Sequence, residues 1–155
     1  MSSCAPDSFQ DNIPDEPGQT TTTDEFALAF LDAVNAYRES GCTCGVRFMP
    51  PAAPLQWDDL LSNAAQRHAN DMGNNGFFSH TGSDGSSSST RVTDAGYNWQ
   101  SVGENIAFGY SGIEAAVDAW INSEGHCRNI MNASFTEMGA ARKGTYWVQD
   151  LGKPR

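Results

Sequence analysis

Three histidines and one glutamate are the residues of this chain best suited to acid–base or metal chemistry. The histidines are His68, His80 and His126, and Glu104 lies between the last two. An imidazole changes charge near neutral pH and is the commonest metal ligand in proteins. Glu104 lies between Gly103 and an apolar run, so we expect it to be partly buried and to need an imidazole or an arginine as partner.

The first two histidines lie in different settings. His68 falls on the apolar face of a predicted helix, where the expected role is that of a packed, hydrogen-bonded core residue. His80 follows Phe77 and Phe78, which we expect to anchor their loop in the core and to leave the histidine at the tip. A polar residue held on an anchored loop favours a functional role for His80.

His126 lies between a glycine and a cysteine. Gly125 is expected to end the preceding helix, so that His126 leaves it at a defined angle, and a disulfide at Cys127 would hold the backbone still. The chain has no His-Glu-x-x-His helix, no Gly-x-Ser-x-Gly elbow and no phosphate-binding loop. No single serine stands out as a nucleophile, and a bridged Cys127 would not act as one.

The four cysteines are Cys4, Cys42, Cys44 and Cys127, and their even number suits an oxidising compartment. Cys42 and Cys44 are too close in sequence for a structural zinc site and have no second matching pair. We predict two disulfides, with Cys127 bonded to Cys44 or to Cys42, because a 42–44 bond would close a very tight ring. Cys4 is expected to be a disulfide partner, a free thiol or the lipid-bearing cysteine of a processed lipoprotein.

Length and charge narrow the class of protein. The chain has 155 residues, 39% of them apolar, which fits one domain with its own core. Its net charge of −10 and the lack of a Lys/Arg cluster disfavour nucleic acids and anionic membranes as partners. No apolar stretch is long enough to span a membrane. No signal peptide is visible, so the protein either acts in the cytosol or has lost an export signal.

The order of predicted elements indicates an α+β domain behind an acidic leader. Residues 1–24 are expected to form a disordered leader or tether, and 25–155 the folded domain. Asp24 and Asp58 are expected to cap helices, and Gly41 to end the first one. We predict helices over about 24–41, 58–73 and 113–122, a short helical piece over 89–95, a short strand or turn over 103–109, and a hairpin of 136–143 and 145–151.

Several segments resemble, in the same order, those of bacterial CAP proteins, a family that includes cysteine-rich secretory proteins, antigen five and plant pathogenesis-related proteins. The segments are 65–72, 77–80 (Phe-Phe-Ser-His), 103–107 (Gly-Glu-Asn-Ile-Ala), 125–132 (Gly-His-Cys-Arg-Asn-Ile-Met-Asn), 135–139 and 146–150 (Tyr-Trp-Val-Gln-Asp). The resemblance spans roughly 26–152. It implies an extracellular or cell-surface protein with a three-layer α-β-α sandwich, a small antiparallel sheet and a central cleft.

The resemblance also implies residues for that cleft, which eukaryotic members line with two histidines and two glutamates able to hold a divalent metal. His80 and Glu104 match one of each. The second glutamate is replaced by Ser123, with Glu124 one step away. Tyr146 stands where the last histidine is usual, and His126 would be the bacterial-type substitute.

The cleft implied by the resemblance therefore contains His80, Glu104 and His126, with Glu124 at the rim. Two imidazoles, one carboxylate and a water would suit zinc or another divalent cation in an open site. The same three groups could equally form a hydrogen-bonded cluster without a metal. We treat this metal site as a hypothesis.

Three functions fit such a domain. The favoured one is a monomeric binding module for a small apolar ligand such as a lipid, for a peptide or for a cell-surface partner, with Tyr97, Trp99 or Tyr110 lining a groove unless they are core residues. The second is an extracellular hydrolase that uses a metal or the His/Glu pair. The third is a structural scaffold of the cell envelope that needs no chemistry in its cleft.

Overall fold

The computed structural model describes Cys4 and residues 23–155, apart from the side chains of Thr23 and Asp24. The predicted leader therefore lies almost wholly outside the described residues. The elements are α1 (Thr23–Ser40), β1 (Cys42–Cys44), β2 (Arg47–Met49), β3 (Gln56–Trp57), α2 (Asp59–Asn75), α3 (Ser88–Asp94), β4 (Trp99–Phe108), α4 (Ile113–Ile121), α5 (Glu124–Met131), β5 (Glu137–Lys143) and β6 (Tyr146–Pro154).

The main sheet has the strand order β3-β5-β6-β4, so β4 lies at one edge. β3 pairs with β5 in parallel, and the other pairs are antiparallel. Residues of α1, α4 and α5 form the core on one face, and residues of α2 and α3 cover the other. The structure thus confirms the α+β class and the α-β-α layering, with β3 as the one parallel addition to the predicted antiparallel sheet.

Successive side chains of each strand point to opposite sides of the sheet, and this creates the two faces. In β6, Trp147 and Leu151 join the core on the α1 side, whereas Val148 packs with residues of α2. Gly139 in β5 lets α2 lie directly on the sheet, because a Cβ at this position would be 2.1 Å from the backbone nitrogen of Ser62. The contact between α2 and β5 therefore requires glycine.

Two helix boundaries differ from the sequence prediction. Asp58 caps α2 as predicted, since its carboxylate accepts from the Leu61 N–H at 2.9 Å. Asp24 is not a cap, because α1 already begins at Thr23. Gly125 does not end a helix either: α4 stops at Ile121, and Gly125 lies in the first turn of the separate helix α5. His126 consequently belongs to a helix rather than to a segment leaving one.

The stretch after Gly41, for which the sequence predicted no helix or strand before residue 58, contains the small β1–β2 hairpin and one or both cysteines of each disulfide. Cys44 bonds Cys127 and Cys4 bonds Cys42, with Cα–Cα distances of 5.5 and 4.8 Å. The two predicted disulfides are confirmed, and Cys44 is the partner of Cys127. The sulfur of Cys4 is used in its disulfide, so it is not available for a thioether to lipid, and the lipid anchor proposed at Cys4 is wrong for this form of the protein.

A buried arginine that donates to backbone carbonyls ties α1 to the end of α5. Arg38 is 1% exposed, and its guanidinium donates to the carbonyls of Ala53, Ile130, Asn132 and Phe135 at 2.7–3.1 Å. Burial lowers the pKa of Arg38 to about 10, so it stays charged at neutral pH. Two of the acceptors lie at the carboxyl end of α5, where a cation is favoured by the helix dipole.

Candidate functional site

Glu104 is the centre of a buried charge network on the α2 side of the sheet. Nη2 of Arg91 donates to both carboxylate oxygens at 3.1 and 3.0 Å, and the two side chains are 1% and 2% exposed. Nδ1 of His80 lies 3.0 Å from Oε1 of Glu104. Arg91 also donates to the carbonyl of His80 at 3.0 Å. The network thus fixes the loop that carries His80 to strand β4.

The Glu104 carboxylate is ionised at neutral pH. Burial alone would raise its pKa, but the hydrogen bond from His80 and the positive charge of Arg91 bring the pKa of Glu104 below its usual value. Both partners that the sequence suggested for this residue, an imidazole and an arginine, are therefore present together. An ionised, paired carboxylate stabilises the fold and is poorly placed to accept a proton from a substrate.

Asp150 adds a second carboxyl group to this network. It lies directly opposite Glu104 in the β4–β6 register and is fully buried, and neither of its oxygens has a hydrogen-bond partner of normal geometry. Burial and the negative charge of Glu104 raise the pKa of Asp150 well above its usual value. One carboxyl of the pair is therefore ionised and the other is held in its neutral form.

Asp150→Asn is expected to stabilise the protein at pH 8 by on the order of 1 kcal/mol and to change little at pH 4. The folded protein keeps the Asp150 proton at pH values where the unfolded chain has released it, so this group makes the free energy of unfolding fall as pH rises from the ordinary aspartate pKa toward the folded value. Urea unfolding of both proteins at the two pH values measures the difference. Asp59→Asn, at an exposed position, is the control, and equal stability changes at pH 4 and pH 8 would contradict this account.

His68 is the packed core residue that its position on the helix predicted. It is fully buried, and its Nε2 lies 2.7 Å from the carbonyl oxygen of Ser79 and 4.0 Å from Oε1 of Glu104. Burial lowers the pKa of His68. The ring is therefore neutral at pH 7. Its contact with the Ser79 carbonyl supports the loop that carries His80.

His126 lies on the other face of the sheet, in a cleft of about 340 Å³ beside the edge strand β4. The walls are aromatic and aliphatic, and the only polar side chains among the lining residues of this cleft are Ser123, His126 and the Tyr110 phenol. The lining residues are Phe78, Ile106, Ala107, Phe108, Tyr110, Ala119, Trp120, Ser123 and His126.

Two half-exposed rings form the rim of this cleft. Phe78 and Phe108 are both 52% exposed, and their ring centroids are 6.3 Å apart. The prediction that both phenylalanines of the His80 loop anchor it is wrong for Phe78, since only Phe77 packs against the core. Adjacent residues of an extended loop point in opposite directions, so one ring is buried and the next faces the cleft.

The His126 side chain is held by its own helix. Its Nδ1 lies 2.8 Å from Oγ of Ser123, and its carbonyl accepts from Nδ2 of Asn105 at 3.3 Å. Burial, together with the charge of His80, lowers the pKa of His126, so its imidazole is neutral at pH 7. Of these two histidines, only His126 is among the residues that line the cleft.

Strand β4 places Glu104 and the contacts of α5 on different faces of the sheet. Side chains alternate along a strand, so Glu104 points toward the α2 layer, whereas Asn105 points toward α5 and contacts it. His80 and Glu104 are in contact, and His126 lies on the opposite face. Glu124, predicted at the rim, is 51% exposed, pairs with Arg128 at 2.6 Å and is not among the residues that line the cleft.

In the described part of the chain, the ligand atoms of His80, Glu104 and His126 do not form one compact group of the kind that holds a metal ion. Within Cys4 and residues 23–155, the only three or more His, Cys, Asp or Glu ligand atoms that lie within 4.8 Å of one another are the sulfurs of Cys4, Cys42 and Cys127, all in disulfides. Arg91 already supplies the cation for Glu104. Metal binding by His80, Glu104 and His126 stays a hypothesis.

The family-model comparison decides the identity of the fold. The model of the CAP cysteine-rich secretory protein family matches residues 31–151, which is most of the chain. The chain belongs to the CAP family.

Curated relatives of this CAP domain come from Bacillus subtilis (strain 168). The uncharacterized protein YkwD is 38% identical over 103 residues, which cover 64% of this chain and 40% of YkwD. The uncharacterized membrane protein YlbC is 34% identical over 108 residues, 70% of this chain and 31% of YlbC. The chain thus spans less than half the length of these relatives. Within its described residues, no helix is both long and apolar enough to cross a bilayer.

Solved structures share the fold of the CAP domain at low sequence identity. An extracellular protein with an SCP domain from Bacillus anthracis matches 87% of this chain and 45% of its own, with a TM-score of 0.68 and 24% identity. An outer surface protein of Borrelia burgdorferi matches 88% of this chain and 97% of its own, with a TM-score of 0.72 and 21% identity. These similarities establish the sandwich architecture.

Sequence reasoning missed the contacts that three residues make in this CAP domain. Arg91 is the cation of the buried network, Asp150 is its neutral carboxyl, and Ser123 is the partner of His126. The three-residue spacing of Ser123 and His126 was the available signal, since such residues lie on one face when a helix begins between them. Of the aromatic candidates, Tyr110 lines the cleft, Tyr97 is buried, and Trp99 packs partly buried against the core.

Proposed function

We propose that this CAP domain is an extracellular or surface-tethered binding module whose cleft at the edge of β4 takes a small apolar or amphipathic ligand. The observation that carries the proposal is the cleft itself, whose walls combine aromatic and aliphatic side chains with one Ser–His pair. Small-molecule sites are typically concave and mostly apolar, with a few polar groups that orient the ligand. Export is supported by the two disulfides, by the extracellular location stated for the Bacillus anthracis protein and by the outer-surface location stated for the Borrelia protein.

The size and lining of the cleft indicate the class of ligand. A volume of about 340 Å³ lies at the lower end of the range for small-molecule sites. Phe108 packs against Tyr146 with ring centroids 4.4 Å apart and the rings tilted by 37°, which supports the aromatic wall of the cleft. An aliphatic or aromatic body could pack on these rings while a hydroxyl or carboxyl group reached Ser123 and His126.

A peptide that adds a strand to the sheet is a less suitable ligand. Such a peptide needs free backbone groups on the edge strand. The carbonyl of Ile106 in β4 already accepts from Nε1 of Trp120 at 2.9 Å, and the carbonyl of Glu104 accepts from Nδ2 of Asn129 at 3.3 Å. The edge of β4 is therefore covered by side chains over this stretch, which favours ligands that contact side chains.

A hydrolase that uses the His80–Glu104 pair has weaker support than a binding module. The Glu104 carboxylate is ionised and shared by Arg91 and His80, and its side chain is 2% exposed. It therefore has no open face toward a substrate.

Blocking the cleft tests the binding proposal. Ala119 lines the cleft on α4, and Ala119→Trp should fill it, whereas Ala115→Trp on an exposed position of the same helix should not. We expect octanoate and 1-octanol to shift amide NMR signals around Ala119, Ser123 and His126 in the wild type and in Ala115→Trp. We expect Ala119→Trp to lose this binding at least tenfold, about 1.4 kcal/mol.

The thermal stability of each variant shows whether the fold is kept. If both tryptophan variants bound the probes as tightly as the wild type, or if the wild-type shifts fell outside the cleft, the proposed ligand site would be wrong.

A further inference from the structure

Ser123 and His126 form the one hydroxyl–imidazole pair that lines the cleft. Oγ of Ser123 lies 2.8 Å from Nδ1 of His126, within reach for proton transfer, and both side chains are partly exposed to the cleft. Among the described residues, no other serine hydroxyl bonds a histidine ring. A nucleophile and a base in contact are the first requirement for covalent acyl transfer.

The Ser123 hydroxyl contacts the His126 imidazole instead of capping the backbone of helix α5. Ser123 is the N-cap residue of α5, and a serine there usually accepts from a backbone N–H of the first turn. In this helix the N-cap makes no side-chain hydrogen bond to the backbone. The leading N–H groups of a helix have no acceptor inside that helix, so those next to Ser123 could donate to a developing oxyanion.

The pair stands on a rigid support. Cys127, the next residue after His126, is bonded to Cys44 of the β1 strand, and Asn105 of β4 donates to the His126 carbonyl. Asn129, one turn along α5, donates to Oδ1 of Asn105 at 3.0 Å. A reacting pair must be held within a fraction of an ångström, and these contacts fix the α5 backbone from two sides.

We propose that Ser123 and His126 act as nucleophile and general base in the transfer of the acyl group of small apolar esters, an activity that rests on the proposed ligand cleft. Oγ of Ser123 attacks the ester carbonyl carbon as its proton passes to Nδ1 of His126. The bond to the leaving alcohol breaks, and His126 returns the proton to the leaving oxygen. Water then attacks the acyl-serine with the same base, which releases the carboxylic acid and restores Ser123.

Among the described residues, no carboxylate forms an ion pair with His126 to complete a Ser–His–Asp triad, and this determines the expected rate of turnover. Within the described chain, the ion pairs of histidines with carboxylates involve His68 and His80, and none involves His126. In a triad, the carboxylate holds the imidazole in the productive tautomer, and its loss is costly to turnover. We therefore expect slow turnover with a lasting acyl-enzyme, which is best detected as covalent labelling of the serine.

Labelling with diisopropyl fluorophosphate and with p-nitrophenyl butyrate, followed by peptide mass mapping, tests this inference. We expect a single adduct on Ser123 in the wild type and none in Ser123→Ala. His126→Asn should slow labelling by about 100-fold. Ser111→Ala, at an exposed serine outside the cleft lining, should label like the wild type.

Octanol binding separates failure of this inference from failure of the binding proposal. Three results would overturn acyl transfer and leave the binding module intact. They are octanol binding to the wild type without labelling of Ser123, labelling at another residue, and full labelling of His126→Asn. Labelling of Ser123 without octanol binding would instead remove the binding proposal. If one cleft serves ligand binding and acyl transfer, Ala119→Trp should lose both octanol binding and labelling of Ser123.

Discussion

Replacing Arg91 with methionine is expected to lower the free energy of unfolding by about 3–5 kcal/mol, because it leaves the buried Glu104 carboxylate without a cation. Methionine keeps much of the length of the side chain, so the cost is mainly electrostatic. Arg91 also donates to the carbonyls of Ser86 and His80, and its loss should free the loop between them. Urea unfolding at pH 7 measures the change.

A double-mutant cycle isolates the charge effect. Glu104→Gln removes the buried negative charge, so Arg91→Met combined with Glu104→Gln should recover a large part of the stability lost in Arg91→Met alone. An exposed ion pair contributes about 1 kcal/mol or less. If Arg91→Met cost no more than that, the Glu104 network would not be the buried ionic centre described above.

Removing the disulfide between Cys44 and Cys127 is expected to cost about 4–5 kcal/mol. The bond closes a loop with a sequence separation of 83, and the entropy lost by the unfolded chain grows with the length of that loop. Both cysteines should be changed to alanine, because Sγ of Cys127 lies 3.5 Å from Sγ of Cys42 and a lone thiol there could exchange with the second disulfide. Thermal unfolding under non-reducing conditions measures the loss.

The matched control is the variant that lacks the Cys4–Cys42 disulfide. The sequence separation of Cys4 and Cys42 is 38, so this disulfide closes the shorter loop. The loss of stability in this variant should be smaller than in the variant without Cys44–Cys127. The two losses should differ by less than about 1 kcal/mol, which is (3/2)RT times the logarithm of the ratio of loop lengths. The two variants should differ at the cleft, since only Cys127 adjoins His126. We expect weaker octanol binding without Cys44–Cys127 and unchanged binding without Cys4–Cys42, and equal weakening in both would contradict the supporting role of Cys127.

The layered fold could be predicted from the sequence because its periodic and capped segments are strong signals. Asp58 and the final hairpin were placed correctly by helix capping and by strand alternation. The hairpin of β1 and β2 was missed because each strand has only three residues and its position depends on the disulfides. Helix α5 was missed because glycine in its first turn was interpreted as a helix end.

The site could be predicted only in part, because it depends on which face of β4 each residue occupies. His80 and Glu104 were correctly paired, whereas His126 lies across the sheet from them. The face of Glu104 depends on the register of β4 with β6, which also brings Asp150 opposite to it. Arg91 is separated from Glu104 by thirteen residues, and only the tertiary packing of α3 against β4 brings them together.

Intermolecular NOEs between bound 1-octanol and the isotope-labelled protein test the central claim most directly. We expect NOEs from the alkyl chain to the rings of Phe108 and Tyr110 and to the methyl group of Ala119, all of which line the cleft. The exposed tip of the β1–β2 hairpin, with Val46 98% and Phe48 60% exposed, is the apolar surface to compare. NOEs confined to Val46 and Phe48, with none to the cleft, would contradict a ligand site at the edge of β4.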